Sequence, residues 1–180
     1  LGAKVTGLEG QLANGQLLVN SHYSEAGEGL YGLGIHRATL CHVLVQALKS
    51  EPLSSQITWR MGVSVDEIDD CGAEARLYGH DKAGKLDAAF DLVIVANGAR
   101  SQLRPSDWVV LDKPYPWGAA WTIVPECLAL DRQILHQFYH GASVMMGILP
   151  TGAIPNAPQQ RLSSIFWSLP TTQLNSWMKE

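Results

Sequence analysis

Asp91-Leu92-Val93-Ile94-Val95-Ala96-Asn97-Gly98-Ala99-Arg100-Ser101-Gln102-Leu103-Arg104 is the stretch on which the fold class turns. Its apolar run from Leu92 to Ala96 is rich in β-branched residues and bounded by turn formers. Such a run reads as a strand buried on both faces of a parallel sheet. A strand stopping at Asn97-Gly98 delivers a sharp turn to the carboxyl edge of that sheet, where open α/β folds bind ligands. Gly98 permits close backbone approach, while Arg100, Ser101 and Arg104 supply donors. The same residues also suit an ordinary strand-turn-helix corner. The expected class is α/β.

Outward from this stretch, His36 to Ser50 predicts a helix, with Leu40, Leu44 and Ala47/Leu48 on one stripe and Pro52 soon after its end. Ala3–Leu8 and Gln16–Asn20 predict strands around the Asn14-Gly15 turn. Ile57–Arg60 and Gly62–Ile68 predict further strands, and Ala73–Tyr78 with Lys85–Phe90 a hairpin. Trp117–Val124, Ile134–His140, Ser143–Leu149 and Leu162–Leu169 read as strands, and Thr171–Lys179 as the start of a helix. Composition changes near residue 104: the first part carries 21 of the 30 formal charges, the second five of the six tryptophans. From Gln133 to Gln160 there is no charged side chain, and Pro150, Pro155 and Pro158 exclude a membrane helix there. That stretch is buried sheet, a ligand-facing surface, or a face that another piece of protein covers.

The 180 residues carry 13 basic and 17 acidic side chains, a net charge of −4, with no electrostatic footprint for nucleic acid. No apolar run reaches the ~18–20 residues of a membrane span. Cys41, Cys71 and Cys127 form neither a disulfide framework nor a C-x-x-C site, which favours a reducing, cytoplasmic setting. Gly27-Glu28-Gly29-Leu30-Tyr31-Gly32 satisfies G-x-G-x-x-G, but it follows a polar loop and no helix starts inside it. It reads as a glycine loop. His136 and His140 on one strand would stand roughly 13 Å apart at ~3.3 Å per residue, too far to share a metal. Asp66, Glu67, Asp69 and Asp70 read as a solvated strand end, and no G-x-S-x-G elbow exists. Neither a catalytic nucleophile nor a metal ligand is assigned.

Arg37 opens the predicted helix, where a guanidinium and the positive end of the helix dipole favour an anion; the bland alternative is a solvated arginine. The pattern His36-Arg37-x-x-Leu40-x-x-x-Leu44, followed by the apolar run into Asn97-Gly98 with Ser101 and Arg104, resembles the FAD-dependent aromatic hydroxylases. These are the single-component flavoprotein monooxygenases related to para-hydroxybenzoate hydroxylase. The resemblance covers nearly the whole chain in order and spacing. It implies the middle of an FAD/NAD(P)-binding fold with a mostly antiparallel substrate sheet. It divides the chain into a partial FAD-binding scaffold at residues 1–104 and a partial substrate-binding sheet at 105–180.

By that resemblance, Arg37 contacts FAD near its phosphates or ribityl chain, and Asn97 and Gly98 lie where the family's Asp-Gly turn meets the cofactor. Trp121, Tyr139 and Met146 are candidates for the substrate side, against a plain core role. The implied activity is hydroxylation of an aromatic or similarly apolar substrate with FAD, NAD(P)H and O2. Three departures accompany it. The opening strand with its dinucleotide fingerprint is absent, a later Gly-Asp segment is absent, and Asn97 stands where the family has an acid. The chain therefore looks like the centre of a longer protein, inactive alone and prone to self-association. Alternatives are a halogenase or reductase on the same scaffold, or a non-catalytic module for hydrophobic ligands.

Overall fold

The computed structural model describes residues 1–50, 52–82, 84–141 and 143–177. The chain divides into two compact units, Leu1–Ser55 with Tyr115–Glu180, and Gln56–Pro114. The composition change at 104 does not coincide with this division. The opening strands pair with strands beyond residue 115, so the two ends of the chain share a sheet.

In the larger unit the expected first strand is two: β1 (Ala3–Val5) and β2 (Gly7–Leu12). Thr6 separates them, giving both its amide and its hydroxyl to the Gln133 carbonyl, at 2.7 and 3.2 Å. The Asn14-Gly15 turn joins β2 to β3 (Leu17–His22). Gly15 sits at φ 84°, and the Asn14 carboxamide oxygen accepts the Gln16 amide at 3.0 Å. Next come β4 (Gly32–Gly34) and helix α1 (Arg37–Leu48), with no helix inside the Gly27–Gly32 loop.

The smaller unit holds β5 (Ser64–Asp70), β6 (Ala75–Asp81) and β7 (Gly84–Phe90), an antiparallel meander in that order. Arg76 bridges to Asp87 on the neighbouring strand at 2.9 Å, and the aspartate's charge raises the guanidinium's affinity for its proton. Two expected strands do not form. Ile57–Arg60 enters no ladder. Neither does Asp91–Ala96, where Leu92 and Ile94 are 76% and 80% exposed. Among the described residues the backbone of 92–97 makes no backbone hydrogen bond. An apolar run becomes a strand only where a neighbour supplies donors and acceptors. The β5–β6–β7 sheet supplies none to it.

After residue 115 the larger unit continues with β8 (Trp117–Pro125), β9 (Ile134–His140), β10 (Val144–Ile154), β11 (Ala157–Pro170) and α2 (Thr171–Trp177). The predicted end of the last helix, residues 178–179, lies outside the described residues. These strands form a six-stranded sheet in the order β3-β2-β9-β10-β11-β8. Every pairing is antiparallel except β2 with β9. The charge-free stretch thus supplies the centre of a mostly antiparallel sheet.

Helix α1 does not dock by its leucine stripe. Leu40, Leu44 and Leu48 are exposed, and Thr39 is the buried residue, fully enclosed with its hydroxyl donating to the Ala153 carbonyl at 3.4 Å. The small side chain permits this approach, aided by Gly34, where a Cβ would collide with the Pro150 carbonyl. Gly152, at φ 73°, lies against the Leu1 and Gly2 backbone. Among the described residues no helix is long and apolar enough to cross a membrane.

Candidate functional site

Register sorts the side chains of the central sheet. Residues directly opposite one another share a face, and neighbours along a strand alternate. The row Gln137–Gly147–Phe166–Trp121 and the row Tyr139–Met145–Ser168–Ala119 therefore lie on one face. The row Phe138–Met146–Trp167–Ala120 lies on the other. Hydrogen bonds agree with this: the Tyr139 hydroxyl donates to the Gln137 side chain at 2.7 Å, and Gln137 donates to the Met145 sulfur at 3.9 Å. Of the three substrate-side candidates, Trp121 and Tyr139 share a face, and Met146 projects from the opposite one. The sequence had no means of ordering them, because β9, β10 and β11 acquire their faces from mutual register.

The Tyr139 face carries a cleft of about 410 Å³. Its floor is Leu8, Val19, Ser21, Leu135 and Leu149 from four adjacent strands; Leu33 and Tyr23 close it from the side of β4. Gly10 lies between this floor and the Tyr139 ring, which occupies the space a Cβ there would need. Gly147 is covered in the same way by Phe166. The volume is within the range of small-molecule sites, and the lining is apolar with hydroxyl and imidazole groups at one end, from Ser21, His22 and Tyr23. Trp121 is on the same face but on β8, three strands from β9, roughly 14 Å away at the ~4.8 Å strand spacing. It is 59% exposed.

A second feature lies at the start of α1. Arg37 is exposed in the first turn and makes no ion pair among the described residues. His36, the residue before it, buries its Nδ1 with no hydrogen-bond partner. His36 lines a cleft of about 320 Å³ together with Thr39, His42 and the Ile154–Asn156 turn; Arg37 does not line it. Free helix amides, a guanidinium and an orphaned imidazole nitrogen suit an oxygen-rich anion. In the smaller unit, Asn97 and Gly98 form an exposed turn, Gly98 at φ 93° and its carbonyl accepting the Ser101 amide at 3.1 Å. The two features belong to different units.

On the opposite face of the six-stranded sheet, sequence reasoning missed a polar cluster. Glu126 is buried, its side chain 6% exposed; one carboxylate oxygen lies 3.4 Å from Arg132 Nε and the other has no hydrogen-bond partner. His136 and Ser163 are buried beside it, and His136 Nε2 meets the Asp131 carbonyl at 3.1 Å. The opposite charges of Glu126 and Arg132, both just before the charge-free stretch, were the available signal. In the smaller unit, the His80 ring 2.9 Å from Asp66, helped by the Ser64 hydroxyl, holds that carboxyl below its ordinary value. Among the described residues no group of three or more metal-binding side chains assembles.

The fold is a mixed α/β arrangement with mostly antiparallel sheets, and it matches the folds of solved flavoprotein structures. It superposes on a p-nitrophenol 4-monooxygenase, PnpA, from Pseudomonas putida DLL-E4. The TM-score is 0.72 at 16% identity, over 98% of this chain and 45% of that one. It also superposes on a flavoprotein/dehydrogenase from Cytophaga hutchinsonii, with TM-score 0.66 and 13% identity over 97% of this chain and 41% of that one. The chain thus spans less than half the length of either. No family sequence model and no curated protein sequence matches it.

Proposed function

We propose that this chain is part of a flavin-dependent oxidoreductase, a monooxygenase that hydroxylates an aromatic or similarly apolar substrate. The observation that carries the reading is the likeness to a monooxygenase structure along almost the entire chain. The α1 start would hold the cofactor's phosphates: Arg37 by charge-assisted hydrogen bonds, the free helix amides by their dipole, His36 Nδ1 by the bond it lacks. In the smaller unit, taken by itself, Asn97 and Gly98 would offer amide donors and an open backbone to a cofactor. Bound FAD, reduced by NAD(P)H in the presence of O2, would supply the oxygen-transfer chemistry. The cleft floored by Leu8, Leu135 and Leu149, which none of Trp121, Tyr139 and Met146 lines, would seat the ring of the substrate and keep water from it.

A dehydrogenase on the same scaffold is the second reading, favoured by the Cytophaga structure. The test is the visible spectrum and O2 uptake of the full-length product that contains this chain. We expect a yellow protein that consumes O2 with NAD(P)H when offered p-nitrophenol or related phenols. A yellow protein that oxidises NAD(P)H without O2 uptake supports the dehydrogenase. A colourless protein indifferent to FAD overturns both. The 180-residue chain alone is expected to stay colourless with FAD.

A further inference from the structure

The tripeptide Ala-Asn-Gly occurs twice, at Ala13-Asn14-Gly15 and at Ala96-Asn97-Gly98. Both asparagines are exposed, both glycines have positive φ (84° and 93°), and apart from the flanking residues no atom stands within 4 Å of a Cβ built on either glycine. Local sequence and steric access are therefore matched. Hydrogen bonding is not. At the first site the Asn14 carboxamide oxygen accepts the Gln16 amide at 3.0 Å, the Gly15 amide donates to the Leu12 carbonyl at 2.9 Å, and the Leu12 amide bonds to Gln16 at 2.8 Å across the turn. At the second, neither the Asn97 carboxamide nor the Gly98 amide has a hydrogen-bond partner among the described residues. The turn also lies outside any strand or helix.

We propose that Asn97 is a site of spontaneous deamidation and that the hairpin protects its twin at Asn14. The Gly98 backbone nitrogen attacks the Asn97 side-chain carbonyl carbon. A C–N bond forms, the bond to the side-chain nitrogen breaks, and ammonia leaves carrying the proton given up by Gly98. Water then opens the resulting five-membered imide at either carbonyl, leaving aspartate or isoaspartate. The sum is amide plus water to acid plus ammonia, with no redox partner. At Asn14 the same attack requires opening the hairpin bond at Gly15 and the carboxamide bond to Gln16. The product at 97 carries a new negative charge in an exposed turn, and the isoaspartate form adds a methylene to the backbone.

The experiment incubates the folded chain at mildly alkaline pH, digests it under acid conditions, and follows both peptides by mass spectrometry with isoaspartate labelling. Conversion at 97 is expected to outpace conversion at 14 by at least about tenfold, since two ordinary hydrogen bonds must open at the protected site. In concentrated urea the two identical tripeptides should convert at similar rates. Equal rates in the folded chain overturn the proposal, as does faster conversion at 14. An Asn97 that persists in the folded chain while the urea-treated chain converts overturns it equally.

Discussion

Removing Arg132 from beside Glu126 tests whether that carboxylate is as enclosed as the structure has it. At 3.4 Å and an effective dielectric of 20, the attraction is about 332/(20 × 3.4), or roughly 5 kcal/mol gross. The guanidinium is 54% exposed, so solvent screens it, and the expected loss for Arg132→Ala is about 2 kcal/mol. That is less than the ~3–5 kcal/mol of a fully enclosed pair. Glu126→Gln keeps the shape and removes the charge, so it should change stability by no more than about 1 kcal/mol. The double substitution should then resemble Glu126→Gln, leaving a coupling near 2 kcal/mol. Urea unfolding of the four proteins at constant m-value measures it. Additive effects, with Arg132→Ala costing under about 0.5 kcal/mol, would refute the enclosure of the carboxylate.

Gly152→Ala should cost about 2–5 kcal/mol, the sum of a left-handed backbone and a Cβ driven against the Leu1 and Gly2 backbone; a urea midpoint near that of the parent contradicts this close approach. Ile94→Lys should shift stability by no more than about 0.5 kcal/mol and lower self-association in sedimentation, because the side chain is 80% exposed. A loss of several kcal/mol would instead place the 92–96 run in a buried strand. Asp66 has a folded pKa below its ordinary 3.8, so its contribution is complete above that value and vanishes as pH falls through the lowered one. Asp66→Asn should therefore flatten part of the acid-side decline in urea midpoint between about pH 5 and pH 2; an unchanged decline refutes the His80–Asp66 bond as its source.

Much of the candidate site was legible and some was not, for reasons seen in single residues. Arg37 in the first turn follows from helix signals alone, because a helix start is set by its nearest neighbours in the chain. The cleft wall at Leu8 and Ser21 is half legible, since the Asn14-Gly15 turn sets which residues of β2 and β3 face each other. Leu135 and Leu149 are not, because the parallel pairing of β2 with β9 joins segments over a hundred residues apart. Thr39 escaped notice because helical periodicity identifies the apolar stripe, not the face that a close-packed neighbour selects.

Local chemistry, then, is enough for the hairpins, the length of α1, the turns at Asn14-Gly15 and Asn97-Gly98, and a sheet-forming, charge-free centre. Those features depend on torsional preferences and on contacts a few residues apart. The faces on which Tyr139, Trp121 and Met146 project, the burial of Glu126, and the absence of pairing along Leu92–Ala96 depend on which strands become neighbours. A strand's hydrogen bonds are made by another segment, so its existence and its inward face belong to the assembled sheet and not to the run of residues itself.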